Sequence, residues 1–250
     1  MLLSSLTEYL NQYLEIQAYK DWSPNGLQVE GKPDVFRVMT GVTASQRFID
    51  TAIERGADAV LVHHGWFWKG EPSTIVGIKK RRIQALLTHD VSLLAYHLPL
   101  DANTEVGNNV MLAKALGLKV VERQGDMGLL NICEPNNGEI QTDVFLLQLE
   151  QTLARKPLTV GEKPSVLRRI GLCSGAAQDL ITQAAQAQCD AYISGEISER
   201  TTHEARELGI FYISAGHHAT ERYGIQALGE LLKKQFPEIE VEYIEDENPV

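Results

Sequence analysis

The feature that most constrains this chain is a repeat inside it. "RVMTGVTASQRFIDTAIERGADAVLVHHG" (37–65) aligns without a gap to "RIGLCSGAAQDLITQAAQAQCDAYISGEI" (169–197). Arg37 falls opposite Arg169, the "ASQ" of 44–46 opposite the "AAQ" of 176–178, and Asp58 opposite Asp190. After a small change of spacing the match resumes: "LLAYHLPLD" ends in a His97–Asp101 pair and "FYISAGHHATE" in a His217–Glu221 pair. Each half reads strand, helix, strand, helix, strand, an alternation that calls for a largely parallel sheet. A repeat of roughly 120–130 residues is too long for a solenoid unit. The expectation is therefore an α/β fold of two pseudo-symmetric α/β lobes. The first lobe is read as 1–122, a turn-rich crossing segment as 123–168, and the second lobe as 169–250, with the lobes able to interlink.

Bulk properties narrow the class of function. No window approaches the roughly 18 apolar residues of a membrane span. The opening "MLLSSLTEYLNQYLEIQAYK" reads as an amphipathic helix, with Leu6, Leu10 and Leu14 on one face, and not as a signal peptide. Lys and Arg total 23 against 33 Asp and Glu, a net charge of -10 that argues against non-specific nucleic-acid binding. "KKRR" at 79–82 is the only basic run and reads as a solvated helix face. Cys133, Cys173 and Cys189 have no metal-like spacing. They read as buried filler in a chain of the reducing cytoplasm.

Chemistry concentrates where strands end, which is where open α/β sheets bind ligands. His63 and His64 close one strand, His97 and Asp101 follow another, and His217, His218 and Glu221 follow a third. Five of the seven histidines thus fall at three strand ends. Adjacent strand residues point to opposite faces, so a His63–His64 pair makes sense only where the chain turns and both rings reach one place. Imidazole and carboxylate without cysteine is the ligand set of Zn²⁺, Mn²⁺, Fe²⁺ and similar ions. The surplus over the three ligands of one catalytic zinc points to a pair of ions roughly 3.5–4 Å apart.

On a helix His217 and Glu221 share a face. Pro99 disfavours helix at Leu98, so His97 and Asp101 are expected in an extended turn. His97 is read as a proton carrier or a support for a ligand. His218 is read as a packing residue or a substrate contact. Trp66, Phe67 and Trp68 are candidates for either a pocket wall or core packing. "TGVTAS" and "SGAAQD" read as strand-to-helix turns capped by Ser45, Thr43 or Ser174. Neither is a P-loop or dinucleotide fingerprint.

Several long stretches, "SPNGLQVEG", "GVTAS", "GADAVLVHHGWFWKG", "YHLPLDANTEVGNN", "ISGEISE" and "AGHHATE", resemble the Nif-three-like family. It is also called NGG-interacting-factor-like, and its bacterial members are GTP cyclohydrolase 1 type 2 homologues. The resemblance runs from about residue 20 to the end and is to the short bacterial form. It implies two pseudo-symmetric α/β lobes with a dinuclear metal site between them, and a ring-shaped homohexamer, a trimer of dimers. The metal ligands it implies are His63, His64, Asp101, His217 and Glu221, with His97 and His218 as candidate proton shuttles.

Two functions are consistent with this. One is a metal-dependent hydrolase of a nucleotide or other small polar molecule, GTP cyclohydrolase-like in chemistry. The other is a metal-binding ring-shaped scaffold or regulatory protein without catalysis.

Overall fold

A computed structural model describes residues 1–250. By contacts the chain divides into two units, Met1–Val106 with Ile225–Glu247, and Gly107–Gly224 with Asn248–Val250.

The first unit contains helix α1 (Leu3–Tyr13), strands β1 (Gly26–Val29) and β2 (Arg37–Thr43), α2 (Gln46–Glu54), β3 (Ala59–His64), α3 (Gly77–Thr88), β4 (Ser92–Ala95) and α4 (Leu98–Ala102). The apolar run of β3 is buried along both faces, as a central parallel strand must be. Alternate residues serve two cores: Ala59 and Leu61 pack with α1, whereas Val60 and Val62 pack with α2 and α3. Leu6, Leu10 and Leu14 fill the first of these cores, each contributing about 1.5–3 kcal/mol by burial. Ser45 caps α2 by accepting from Phe48 N at 3.0 Å.

The second unit follows with α5 (Asn108–Ala115), β5 (Leu118–Gln124), β6 (Leu130–Pro135), β7 (Ile140–Gln141), α6 (Thr142–Leu153), β8 (Leu158–Val160), β9 (Val166–Leu167), β10 (Ile170–Cys173), α7 (Ile181–Gln186), β11 (Ala191–Ser194), α8 (Glu199–Leu208) and β12 (Phe211–Ser214). Helix α9 (His217–Gln235) begins in this unit, and its chain continues into the first, which β13 (Glu240–Tyr243) completes.

The first unit's sheet has the order β1-β4-β3-β2-β13, and the second unit's is β5-β6-β10-β11-β12-β8. Strands β2, β3 and β4 are mutually parallel, as are β10, β11 and β12. Each trio ends on an antiparallel edge strand, β1 on β4 and β8 on β12. The repeat reaches down to single hydrogen bonds. Asp58 Oδ2 accepts from Phe36 N and Arg37 N at 2.7 and 2.8 Å, and Asp190 Oδ2 accepts from Arg168 N and Arg169 N at 2.7 and 2.9 Å. Arg37 then donates to Arg55 O and Arg169 to Ala187 O, both at 2.8 Å.

The unit boundaries differ from those read in the sequence. Residues 123–168 carry no mere crossing: β6, α6 and β8 are integral to the second unit, with β6 beside β10 and β8 beside β12. At the other end, β13 pairs in parallel with β2, Glu240 opposite Arg37, which draws Ile225–Glu247 into the first unit. Long-range pairing of short strands decides both, and a local pattern carries no such signal.

Cys133, Cys173 and Cys189 are buried and form no disulfide. Burial pushes the Cys133 thiol up to about 12. In the "KKRR" run Lys80 and Arg81 are exposed on α3, with Lys79 and Arg82 half-buried beside them. No helix is long and apolar enough to cross a membrane.

Candidate metal centre

In the first unit the centre is assembled at the ends of β3 and β4. Tyr96 N bonds Val62 O at 3.0 Å, after which the two strands part. His63 and His64 therefore sit where β3 leaves the ladder, and their rings come together at 4.4 Å between centroids. His63 is fully buried and its Nδ1 meets Tyr96 O at 2.9 Å. His64 Nδ1 meets Thr43 Oγ1 at 3.2 Å across the β2–β3 pair. His97 joins them, its ring 5.2 Å from that of His63 and 5.7 Å from that of His64. One donor atom from each of these three histidines lies within 4.8 Å of the others.

His97 and Asp101 are not in an extended turn, contrary to the sequence reading. Leu98–Ala102 is a short helix with Pro99 in its first turn, where the missing N–H costs nothing. The restriction that Pro99 places on Leu98 is overcome by a clamp from the loop before β1. Asp21 Oδ2 accepts from Leu98 N at 2.9 Å, and Asn25 Oδ1 accepts from His97 N at 2.7 Å. The turn carries Asp101 to His63, Oδ1 standing 3.5 Å from Nε2.

Asp21 also holds the His97 ring, Oδ1 to Nδ1 at 2.7 Å. Burial alone would raise this carboxyl. The His97 hydrogen bond and charge, with Asn25 and Leu98 N, outweigh burial and hold it at about 2.

In the second unit His217 is the first residue of α9. Its Nδ1 meets Glu196 Oε1 at 2.7 Å, and its Nε2 lies 3.1 Å from Glu221 Oε2, one turn along. Burial would lower this imidazole, but Glu221 and then Glu196 raise it to about 9. Gly175 is what lets Glu221 reach this place. Its φ is +64°, and a Cβ there would lie 2.1 Å from Glu221 Oε1.

The two His-x-x-x-acid pairs have the same spacing but not the same register. Ser92 N bonds Asp58 O as Phe211 N bonds Asp190 O, and Tyr96 N bonds Val62 O as Ala215 N bonds Ser194 O. His97 is therefore equivalent to Gly216, not to His217. It stands just before its helix, whereas His217 stands inside its own.

Every sequence-derived candidate has a definite place. His63, His64, His97 and Asp101 are brought together in the first unit, and His217 and Glu221 in the second. His218 is buried on α9 and its N–H donates to Val250 O at 3.0 Å. His89 Nδ1 meets Ala85 O, and His203 pairs with Glu199; both are exposed and stand outside the centre. Trp66 is core, its Nε1 donating to Ala44 O at 3.1 Å. Trp68 is half-buried, its ring edge-on to His97 at 4.9 Å. Phe67 is exposed, with a φ of +66°.

Asp21, Asn25, Glu196 and Gly175 were not singled out from sequence. Glu196 had a signal, since the ungapped repeat sets it opposite His64. Asp21 stands two residues before the "SPNG" run and offered none of its own.

The donor set suits a borderline divalent ion. Four imidazoles, His63, His64, His97 and His217, are each engaged at Nδ1 by an oxygen. That arrangement leaves Nε2 as the nitrogen suited to a metal, and a carboxylate partner raises its basicity.

The Duf34/NIF3 (NGG1p interacting factor 3) family model matches residues 1–249. The GTP cyclohydrolase 1 type 2 homolog of Pseudomonas aeruginosa is 50% identical over 253 residues, covering 99% of this chain and 98% of that protein. The solved structure of protein ybgI, described as of unknown function, superposes with a TM-score of 0.96 at 44% identity, covering all of both chains. TTHA1606 from Thermus thermophilus does so with a TM-score of 0.91 at 35% identity, again over 100% of each. With its repeat, its paired histidines and a family match along nearly its whole length, this chain belongs to the Duf34/NIF3 family.

Proposed function

We propose that this protein holds two divalent metal ions through His63, His64, Asp101, His217 and Glu221, and hydrolyses a nucleotide or other small polar substrate. The observation that carries the reading is the uniform engagement of imidazole Nδ1 atoms by oxygen partners, described above. Such ions, when bound, polarise substrate oxygens and acidify water to a pKa of about 7.

The protein's own groups then have distinct tasks. Glu196 and Thr43 orient His217 and His64. Asp21 fixes the His97 ring so that Nε2 is the atom that takes or returns a proton. His218 is the second proton-handling candidate. Trp68 offers an apolar edge to a planar substrate beside His97. The name carried by the Pseudomonas aeruginosa relative makes guanine nucleotides the first substrates to try. The working form is a cytoplasmic homohexamer, a trimer of dimers.

The test is a panel of nucleotides, phosphoesters and amides offered to protein reconstituted with Zn²⁺, Mn²⁺ or Fe²⁺. The hydrolase reading expects turnover that chelation abolishes while the assembly persists. A fully loaded protein that turns over nothing, and whose assembly collapses on chelation, would instead be a metal-held scaffold.

A further inference from the structure

His63, His64 and His97 have one thing in common: the oxygen that engages each Nδ1 belongs to the first unit. Tyr96 O engages His63, Thr43 engages His64, and Asp21 with Asn25 clamps His97 at ring and backbone. The Asp21 side chain is 3% exposed, so a buried carboxylate is committed to the orientation of one imidazole. The three donor atoms stand within 4.8 Å of one another. Three nitrogens on one ion, each at about 2.0–2.1 Å, stand at most about 3.6 Å from one another, so ring movements of about 0.7 Å or less would gather all three.

We propose that His63, His64 and His97 form a three-imidazole loading site that binds one divalent transition-metal ion without any ligand from the second unit. His97 is a ligand in this one-ion state, beyond the proton-handling task given to it above. Three neutral imidazoles favour Cu²⁺, Ni²⁺, Zn²⁺ or Co²⁺ and discriminate against Mg²⁺ and Ca²⁺, which take oxygen ligands. The inference rests on the reading of the chain as a metal protein, but not on its binding two ions.

The test uses the full chain carrying His217→Ala and Glu221→Ala together, titrated with Co²⁺ alone. Calorimetry and visible d–d absorption are the readouts, and thermal melts of the metal-free proteins serve as the check on folding. The expected result is about one Co²⁺ per chain with an imidazole-bound spectrum. Mg²⁺ in excess should not displace it. Adding His97→Ala should weaken binding at least about tenfold and alter the spectrum, and Asp21→Asn should weaken it by about 10–100-fold. His97→Gln replaces His97→Ala if the latter melts early.

Wild-type protein that loads normally beside a double variant that takes no Co²⁺ would overturn the loading site while leaving the two-ion reading intact. Unchanged affinity on removal of His97 would overturn it equally. Wild type that binds one ion, retained in the double variant and lost with His97, would support the loading site and overturn the two-ion reading.

Discussion

Glu196 meets His217 Nδ1 at 2.7 Å, and this contact decides which nitrogen of His217 can serve a metal. Fixing the proton on Nδ1 leaves Nε2 as the basic atom, and it faces the Glu221 carboxylate at 3.1 Å. Glu196→Gln should therefore weaken metal binding by about 10–100-fold while leaving the fold intact. Competition against a chromophoric chelator measures this. Affinity equal to wild type would mean that Glu196 is only a surface partner.

The same cluster predicts a pH dependence of the metal-free protein. His217 is held at about 9, above its ordinary 6.5, because Glu221 and Glu196 outweigh burial. A raised folded-state value favours folding in the protonated form. That stabilisation is complete below the ordinary 6.5 and is lost as pH rises through about 9. Urea melts of chelator-treated protein should show stability falling over this window, and His217→Ala should flatten the fall. Metal has to displace the same proton, so apparent affinity should climb with pH over that range. Stability that rises across the window would contradict the pairing.

Gly175 and Gly209 form a matched comparison. Both have left-handed backbones, φ +64° and +66°, but a Cβ at Gly175 would strike Glu221 Oε1 at 2.1 Å, while at Gly209 it would meet nothing within 4 Å. Both alanine variants should lose more than about 1 kcal/mol from backbone strain alone. Only Gly175→Ala should also lose metal, since Glu221 must move aside. Equal metal content in the two would show that Glu221 has another way to reach its place.

Asp58 and Asp190 test the repeat itself. Each carboxylate takes two backbone N–H groups at the start of its unit's first parallel strand of the trio. Loss of either leaves those donors unmet, so Asp58→Ala and Asp190→Ala should each cost about 1–3 kcal/mol without affecting metal content. Chemical denaturation reads the first and elemental analysis the second. A variant of full stability would mean that water replaces the carboxylate there without cost.

How much of this was legible in the sequence follows from which forces are local. The parallel trios were legible because each central strand is an apolar run at a fixed distance from a helix, and because Arg37 and Asp58 recur as Arg169 and Asp190. Paired histidines at a strand end announced His63 and His64. The α1 stripe announced itself through Leu6, Leu10 and Leu14.

What was hidden depends on contacts distant in the chain. Strand β13 lies in the 169–250 span read as the second lobe, and only its pairing with Arg37–Thr40 makes it part of the first sheet. The α4 helix was obscured by Pro99, since the clamp that permits it comes from Asp21 and Asn25. The equivalence of His97 with Gly216 was masked by the equal spacing of the two His–acid pairs, which only the strand hydrogen bonds correct.

The most direct test of the central claim is the metal content of tag-free protein by elemental analysis, beside Asp101→Ala and Glu221→Ala variants. The account predicts about two ions per wild-type chain, with a clear fall in both variants. Protein that takes up almost no metal after exposure to Zn²⁺, Mn²⁺ or Fe²⁺ would contradict it, and the histidines at the strand ends would then be structural.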